Sequence, residues 1–294
     1  MIKLSIIIPT KDRQQMVKDL VQSITLSKFI NLKCIELIIV NDGLPFLNNS
    51  DLLKFKKDFN RIKIIENKFN RGASYSRNRG VHFAKSKYLL FIDDDNEVGE
   101  TFISKLYQYI KKHKNCVMVG GFSYFWNSKD INYGAWYVNL SQNAIRKGTV
   151  TYERIQKEKI VKNVSYIPNA FLVRKRQFIK IGGFDINFLG SYFEDTDFGL
   201  RINKFGNISV IPDAIIYHKA TLSTFNDIKK LSNFSYNYYY FCKKYTNSKL
   251  NAYLGLFRLK VRFIYELLKR RKIFLALQYL IITPIEFIKI KQIW

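Results

Sequence analysis

The chain has 294 residues, 47% of them hydrophobic, enough for a full buried core in one large or two smaller domains. Lys and Arg outnumber Asp and Glu by 49 to 23, a formal charge of +26, which suits an anionic partner: nucleic acid, an anionic membrane or an anionic substrate. Cys34, Cys116 and Cys242 are too far apart for a zinc or dithiol motif and fit free thiols in a reducing compartment, and no apolar run reaches the ~18 residues that span a bilayer.

Leu4–Ile8 reads as a buried strand closed by Pro9-Thr10, too short for the apolar segment of a secretory signal. Val17–Thr25 has helical spacing. Cys34–Val40 is a second strand, ending on Asn41-Asp42-Gly43. Asp51–Phe59 is expected to be helical, Ile62–Ile65 a third strand, Ala73–Ala84 a helix and Tyr88–Ile92 a fourth strand. Strands alternating with helical stretches predict βαβ units and a mostly parallel sheet. In such a sheet the strand ends share one edge, so Thr10, Asn41-Asp42, Glu66-Asn67 and Asp93-Asp94-Asp95 are expected along one polar rim, where open α/β sheets place ligands.

The triplet at the end of the fourth strand is the strongest chemical signal. Three adjacent carboxylates repel one another unless a cation sits among them. On an extended chain Asp93 and Asp95 point the same way and suit a hard divalent cation, Mn²⁺ or Mg²⁺, that keeps positions open for phosphate oxygens. Beside it, Asn70-Arg71-Gly72 leads into a helix carrying Arg77. A glycine just before a helix lets backbone N–H groups approach a phosphate, and arginine supplies bidentate contacts. Asn41 and Asp42 could hydrogen-bond a base or ribose, although Asp-Gly is also a plain turn signal.

These pieces resemble family 2 glycosyltransferases with the GT-A fold. Ser5-Ile6-Ile7-Ile8-Pro9-Thr10-Lys11-Asp12-Arg13 is similar to the family's opening strand and loop, and Val40-Asn41-Asp42-Gly43 to its Val-Asp-Asp-Gly motif. Asn70-Arg71-Gly72 through Arg77-Asn78-Arg79-Gly80 resembles its Asn-x-Gly…Ala-Arg-Asn-x-Gly helix, and Phe91–Asp95 its DxD motif. Asn41 departs from the family's usual Asp, and an amide has a different donor pattern. The resemblance covers roughly the first 220 residues. It implies a nucleotide-sugar site built from Pro9, Thr10, Asp12, Arg13, Asn41, Asp42, Asn70, Gly72, Arg77, Asp93 and Asp94, with the metal on Asp95 and Asp93.

Farther along, Glu100–His113 is a predicted helix, and Val117–Phe125 a strand whose Gly120-Gly121 marks a bulge or close backbone approach. Trp126, Tyr133, Trp136, Tyr137 and Tyr152 follow among polar residues, as sugar platforms or as ordinary packing. Ile167–Arg174 is a strand, Gln177–Ile181 a short helix and Gly182-Gly183-Phe184-Asp185 a turn. Then comes Glu194-Asp195-Thr196-Asp197 with Arg201; acids at a helix start are favoured by the helix dipole. The block resembles the family's GGFD…EDxDLxxR, which implies Asp195 as catalytic base with Glu194 supporting it or orienting the acceptor. Ile208–Ile211 and Ile215–His218 close the block, and the resemblance places His218 at the metal or diphosphate. Sugar transfer needs both acidic sites: a cation offsets charge on the diphosphate leaving group, and a carboxylate across the sugar takes the acceptor's proton.

After residue 220 the composition shifts to Tyr, Phe, Lys and Arg. The whole is expected to be a GT-A catalytic domain over 1–222 (nucleotide-sugar half 1–120, acceptor half 121–222) and a helical basic region over 223–294. Basic amphipathic helices rich in Phe, Tyr and Leu lie in membrane interfaces, or they pack on the catalytic domain or a second subunit of a homo-oligomer. The expected function is metal-dependent, inverting transfer from a nucleotide-sugar, a UDP-sugar or dTDP-rhamnose, to a glycan or lipid-linked acceptor. The expected place is the cytoplasmic face of the cell membrane. Nucleotidyl transfer, a catalytically dead scaffold and nucleic-acid binding are the other readings. No nucleic-acid module is recognisable, and two acidic clusters at strand ends would repel phosphates without a metal.

Overall fold

The computed structural model describes residues 2–44, 52, 54–126, 131–133, 136–141, 144–149, 158, 160–190, 192–219, 227–246 and 249–281, with backbone only for most of 131–149. Two compact units are present: 1–137, 147–186 and 194–220 form one, and 138–146, 187–193 and 221–294 the other.

The first unit is built on a mixed ten-stranded sheet. Its parallel half comprises β1 (Leu4–Thr10), β2 (Ile35–Asn41), β3 (Arg61–Glu66) and β4 (Tyr88–Ile92), in spatial order β3-β2-β1-β4. Side chains of a strand alternate between faces, and both faces here are apolar. Ile6, Ile8, Leu37, Ile39, Leu90 and Ile92 enter one core, while Ile7, Ile38, Val40, Leu89 and Phe91 enter the other. Helix α1 (Gln14–Thr25) supplies Val17, Leu20 and Ile24 to the first core; α2 (Ala73–Phe83) supplies Val81 to the second.

Beyond β4 come β5 (Asn96–Val98), α3 (Phe102–Lys112), β6 (Cys116–Phe125), β7 (Ile131–Tyr133), and β8 (Trp136–Ser141) with β9 (Ala144–Thr149), which pair in a separate two-stranded sheet. Then follow β10 (Val161–Lys162), β11 (Ala170–Arg174), α4 (Lys175–Lys180), α5 (Glu194–Ile202) and β12 (Asn207–His218). Strand β11 runs antiparallel between β4 and β6, and β12 runs parallel to β6. The Gly120-Gly121 pair is a close approach, as its sequence suggests: a Cβ on Gly121 would stand 1.9 Å from the Ala214 carbonyl oxygen, where the β6–β12 register slips.

Within 51–59, expected to be helical, the described stretch Lys54–Lys57 is a single 3₁₀ turn. Leu52, just before it, is helical and fully buried, so part of the stretch is helical as expected.

The second unit carries α6 (Ile228–Tyr245), α7 (Lys249–Lys269) and a last helical stretch at 273–281. Leu231, Phe263, Leu267, Ala276 and Tyr279 form one small core, and Tyr239, Cys242, Ala252 and Leu256 another. No helix among the described residues is long and apolar enough to cross a membrane.

Candidate active site

The carboxyl ends of β1 to β4 converge on one rim. Asp42, at the end of β2, is buried, and both its oxygens are engaged. Oδ1 accepts from Asn67 Nδ2 at 2.6 Å and from the Arg71 N–H at 2.8 Å, and Oδ2 accepts from the Gly72 N–H at 2.6 Å. It therefore fixes the loop entering α2, where Gly72 takes φ +85° at the N-cap. Asn41 closes its own turn, donating from Nδ2 to the Leu44 carbonyl at 2.6 Å and accepting from the Gly43 N–H. Asp12, at φ +56°, accepts the Leu44 N–H at 2.7 Å. Pro9 is buried in β1, and Asn70 is exposed.

The triplet does not continue β4 in extended form. Asp94 and Asp95 lie in a turn closed by the Asn96 N–H on the Asp93 carbonyl, so each carboxylate has its own surroundings. The reason is that each finds its own partners, two arginines and an imidazole among them. Asp93 Oδ1 accepts from Arg77 at 2.6 Å. Asp94 is buried and takes Thr10 Oγ1 at 2.5 Å and Arg13 on both oxygens, at 2.5 Å and 3.0 Å. Asp95 Oδ2 meets Arg13 at 3.1 Å, and its Oδ1 lies 3.5 Å from His218 Nε2. Burial drives Asp94 up to about 7 against the pull of Arg13 and Thr10. Burial also acts to raise Asp95, but the hydrogen bond and charge of His218, with Arg13, prevail and hold it below the usual range. His218 reaches this place because β12 pairs antiparallel with β5, His218 opposite Asn96, while the Lys219 N–H bonds the Asp95 carbonyl at 2.8 Å.

The second acidic cluster opens α5. Glu194 is buried and Asp195 half-buried, with Asp195 Oδ1 accepting the Thr196 N–H at 2.6 Å. Arg77 joins the two clusters: one end of its guanidinium holds Asp93, and NH1 lies 3.2 Å from Glu194 Oε1. Phe184 stands under it, ring centroid 5.1 Å from Cζ. Burial raises Glu194 to about 7, Asp195 adds to the shift, and Arg77 opposes it. Arg77 itself is raised despite burial, by Asp93 and Glu194, so it stays charged.

Two positioning elements went unassigned in the sequence. Asn78 grips the Phe184 backbone at both ends, accepting its N–H and donating to its carbonyl, each at 2.8 Å. Arg201 joins buried Asp197 at 2.7 Å and donates to the Ile181 and Gly183 carbonyls. Both residues stood in the quoted motifs; only the fold reveals that they lock the 182–184 turn between α2 and α5. Trp126 is partly exposed, with Lys219 over its ring at 4.6 Å, whereas the side chains of Tyr133, Trp136, Tyr137 and Tyr152 lie outside the described residues.

The sequence signature of glycosyl transferase family 2 matches residues 5–182. The chain belongs to that family. The match ends before Glu194-Asp195. An uncharacterized glycosyltransferase of Haemophilus influenzae is 26% identical over 73% of this chain and 64% of its own length. A Campylobacter jejuni GalNAc(5)-diNAcBac-PP-undecaprenol beta-1,3-glucosyltransferase is 30% identical over 40% of this chain and 38% of its own. The chain spans between about a third and just under two thirds of the first curated relatives it matches. Among solved structures, GalNAc-T7 with UDP, GalNAc and Mn²⁺ aligns at TM-score 0.62 and 16% identity, over 76% of this chain and 44% of that one. This likeness bears on the fold, which is of the GT-A type with a largely parallel sheet.

The donor set suits a hard cation in part. Among the described residues no three acids, histidines or cysteines gather on one point. Asp95 with His218 does offer an anionic oxygen and an imidazole nitrogen side by side, and a hard cation completes its shell from phosphate oxygens and water.

Proposed function

We propose that the protein is a metal-dependent, inverting glycosyltransferase that moves a sugar from a nucleotide-sugar to a hydroxyl of a cell-surface glycan or lipid-linked acceptor. The observation that carries it is Arg77, whose two terminal nitrogens bind Asp93 of the acidic turn and Glu194 at the start of α5. Two acidic sites of different character thus share one arginine, which supports a reading in which they act on one substrate.

Asp95 and His218 would hold Mn²⁺ or Mg²⁺, whose charge offsets that developing on the diphosphate. Arg13 keeps Asp94 and Asp95 in position. Asp195 takes the acceptor hydroxyl's proton, and Glu194, fixed by Arg77, shapes the ground beside it. One displacement inverts the anomeric centre. The UDP and Mn²⁺ named for GalNAc-T7 favour a UDP-sugar, with dTDP-rhamnose the alternative. The undecaprenol-linked substrate in the name of the Campylobacter relative favours a lipid-linked acceptor. The reading places the protein at the inner face of the membrane through its basic C-terminal helices, with homo-oligomerisation through the same helices as the competing use.

A thermal-shift screen against UDP-, GDP- and dTDP-sugars with and without Mn²⁺ tests this, because ligands of the native state raise apparent stability. A metal-dependent shift with one nucleotide class is expected. No shift at millimolar ligand favours a scaffold or nucleic-acid role. Product NMR then reads the anomeric outcome, and retention would refute the single displacement.

A further inference from the structure

The corner leading into α5 has an unusual backbone. Gly190 takes φ +70°, and the two residues before Glu194, Tyr192 and Phe193, take +105° and +68°. Bulky L-residues rarely adopt such values, and they persist only where surrounding structure over-determines them. The determinant is a side chain about 45 residues away in sequence, on α6. Asn237 is fully buried. Its Oδ1 accepts the Leu189 N–H at 2.8 Å, and its Nδ2 donates to the Leu189 carbonyl at 2.9 Å and to the Tyr192 carbonyl at 3.0 Å. The amide thus satisfies three backbone groups on both sides of Gly190. The same face of α6 cages the Phe193 ring: Phe234, Tyr238 and Phe241 lie 5.3, 5.8 and 5.3 Å from it, centroid to centroid.

We propose that Asn237 is a positioning residue for the carboxylates at 194–195. The chain runs from Phe193 straight into α5, so whatever fixes the 192–193 corner fixes where Glu194 and Asp195 begin. Asn237 touches no reacting group; it holds the strained corner from which the chain enters α5. Aspartate in its place would set oxygen against the Leu189 and Tyr192 carbonyls, and alanine would leave three backbone groups unpaired. The inference rests on the reading of Asp195 as base, and it assigns α6 a part in that reading.

Hydrogen exchange by mass spectrometry on the full chain tests it, with Asn237→Ala and, as a near-isosteric second variant, Asn237→Asp. Exchange in peptides spanning 188–202 should quicken at least tenfold, while peptides of β1 to β4 stay within twofold. UDP affinity with Mn²⁺, by calorimetry, should also stay within twofold. With the sugar nucleotide selected by the screen, kcat should fall 10- to 100-fold at unchanged donor KM. Adding Tyr192→Gly, which adopts a positive φ without strain, should restore exchange to within threefold of the parent. A purely structural role predicts faster exchange everywhere, parallel loss of UDP binding and no rescue; that outcome, or unchanged exchange at 188–202, overturns the proposal. Asp195→Asn runs alongside: if it stays active the base reading fails, while the exchange data still judge the clamp.

Discussion

At the scale of single residues, the site is a matter of which charge answers which. Asp93, Asp94 and Asp95 would repel one another, and the chain separates them onto Arg77, Arg13 with Thr10, and His218 with Arg13. Asp195 has Thr196 as a neighbour and lies beside raised Glu194. Asp195→Asn keeps the size and the Thr196 contact but removes proton acceptance. Transfer should fall by about 10² to 10⁴ while UDP–Mn²⁺ affinity holds; an active variant, assayed with the donor the screen selects, removes Asp195 as base. Glu194 makes a separate prediction with a definite sign. Its folded value stands near 7, above its ordinary value of 4.5, because burial and Asp195 outweigh Arg77. Between those limits the folded state binds more protons than the unfolded state, so Glu194's contribution to stability declines as pH rises from about 4.5 to 7 and then levels. Urea denaturation of the ligand-free protein at pH 5 and pH 8 should show the parent losing more stability than Glu194→Gln over that interval. An equal loss in both would show that Glu194 is ionised throughout.

At the scale of elements, the parallel half of the sheet was legible because alternation and strand-end chemistry are local. Leu4–Thr10 and Tyr88–Ile92 are apolar on both faces, and each stops on polar residues, so strand, sheet type and rim follow together. The order of the carboxylates along that rim was legible for the same reason. Their geometry was not. The triplet reads as an extended chain, yet it turns, because Arg13, Arg77 and His218 arrive from elements 81, 16 and 123 residues away in sequence, and no local pattern carries that information. The buried polar knot under β1 was missed likewise: Ser5 donates to Glu36 at 2.6 Å, and Arg61 closes on the other oxygen. An acid inside Ile35-Glu36-Leu37 was its one visible sign. Asn78 illustrates the cost of such links. Its two bonds to Phe184 tie α2 to the turn before α5, and the Asn78 side chain lies where a Cβ on Gly183 would fall, 2.6 Å away. Asn78→Ala should lose about 1–3 kcal/mol in urea denaturation, from two part-buried bonds and the groups left unpaired. A loss under about 0.5 kcal/mol would mean that the turn holds without it.

At the scale of the whole molecule, the charge of +26 meets an uncovered apolar face on α7. Leu250, Leu254, Phe257, Val261, Tyr265 and Leu268 are all exposed at helical spacing, Phe257 to 66%. They form one stripe along about 28 Å of helix. Ala252, Leu256, Phe263 and Leu267 occupy the opposite side and fill the small cores. Arg258, Arg262 and Lys269 border the stripe, and Glu266 is the one acid in α7. Self-association through this stripe would bring like-charged borders together, whereas an anionic bilayer answers both the apolar row and its basic edge. Removing everything after residue 222 is a poor test, because the same cut strips Leu189 and Tyr192 of Asn237. Substitution on the outer face is cleaner: Phe257→Glu combined with Val261→Glu changes exposed residues only. Sedimentation with vesicles containing phosphatidylglycerol should show binding falling at least tenfold, by the loss of apolar insertion and the gain of like charge. Raising salt should weaken the parent's binding too, since the basic border is screened over about a Debye length. UDP–Mn²⁺ affinity should be unchanged. If the double variant still sediments with the vesicles, and instead shifts from dimer to monomer in ultracentrifugation, the face belongs to a second copy of the chain and the membrane reading fails.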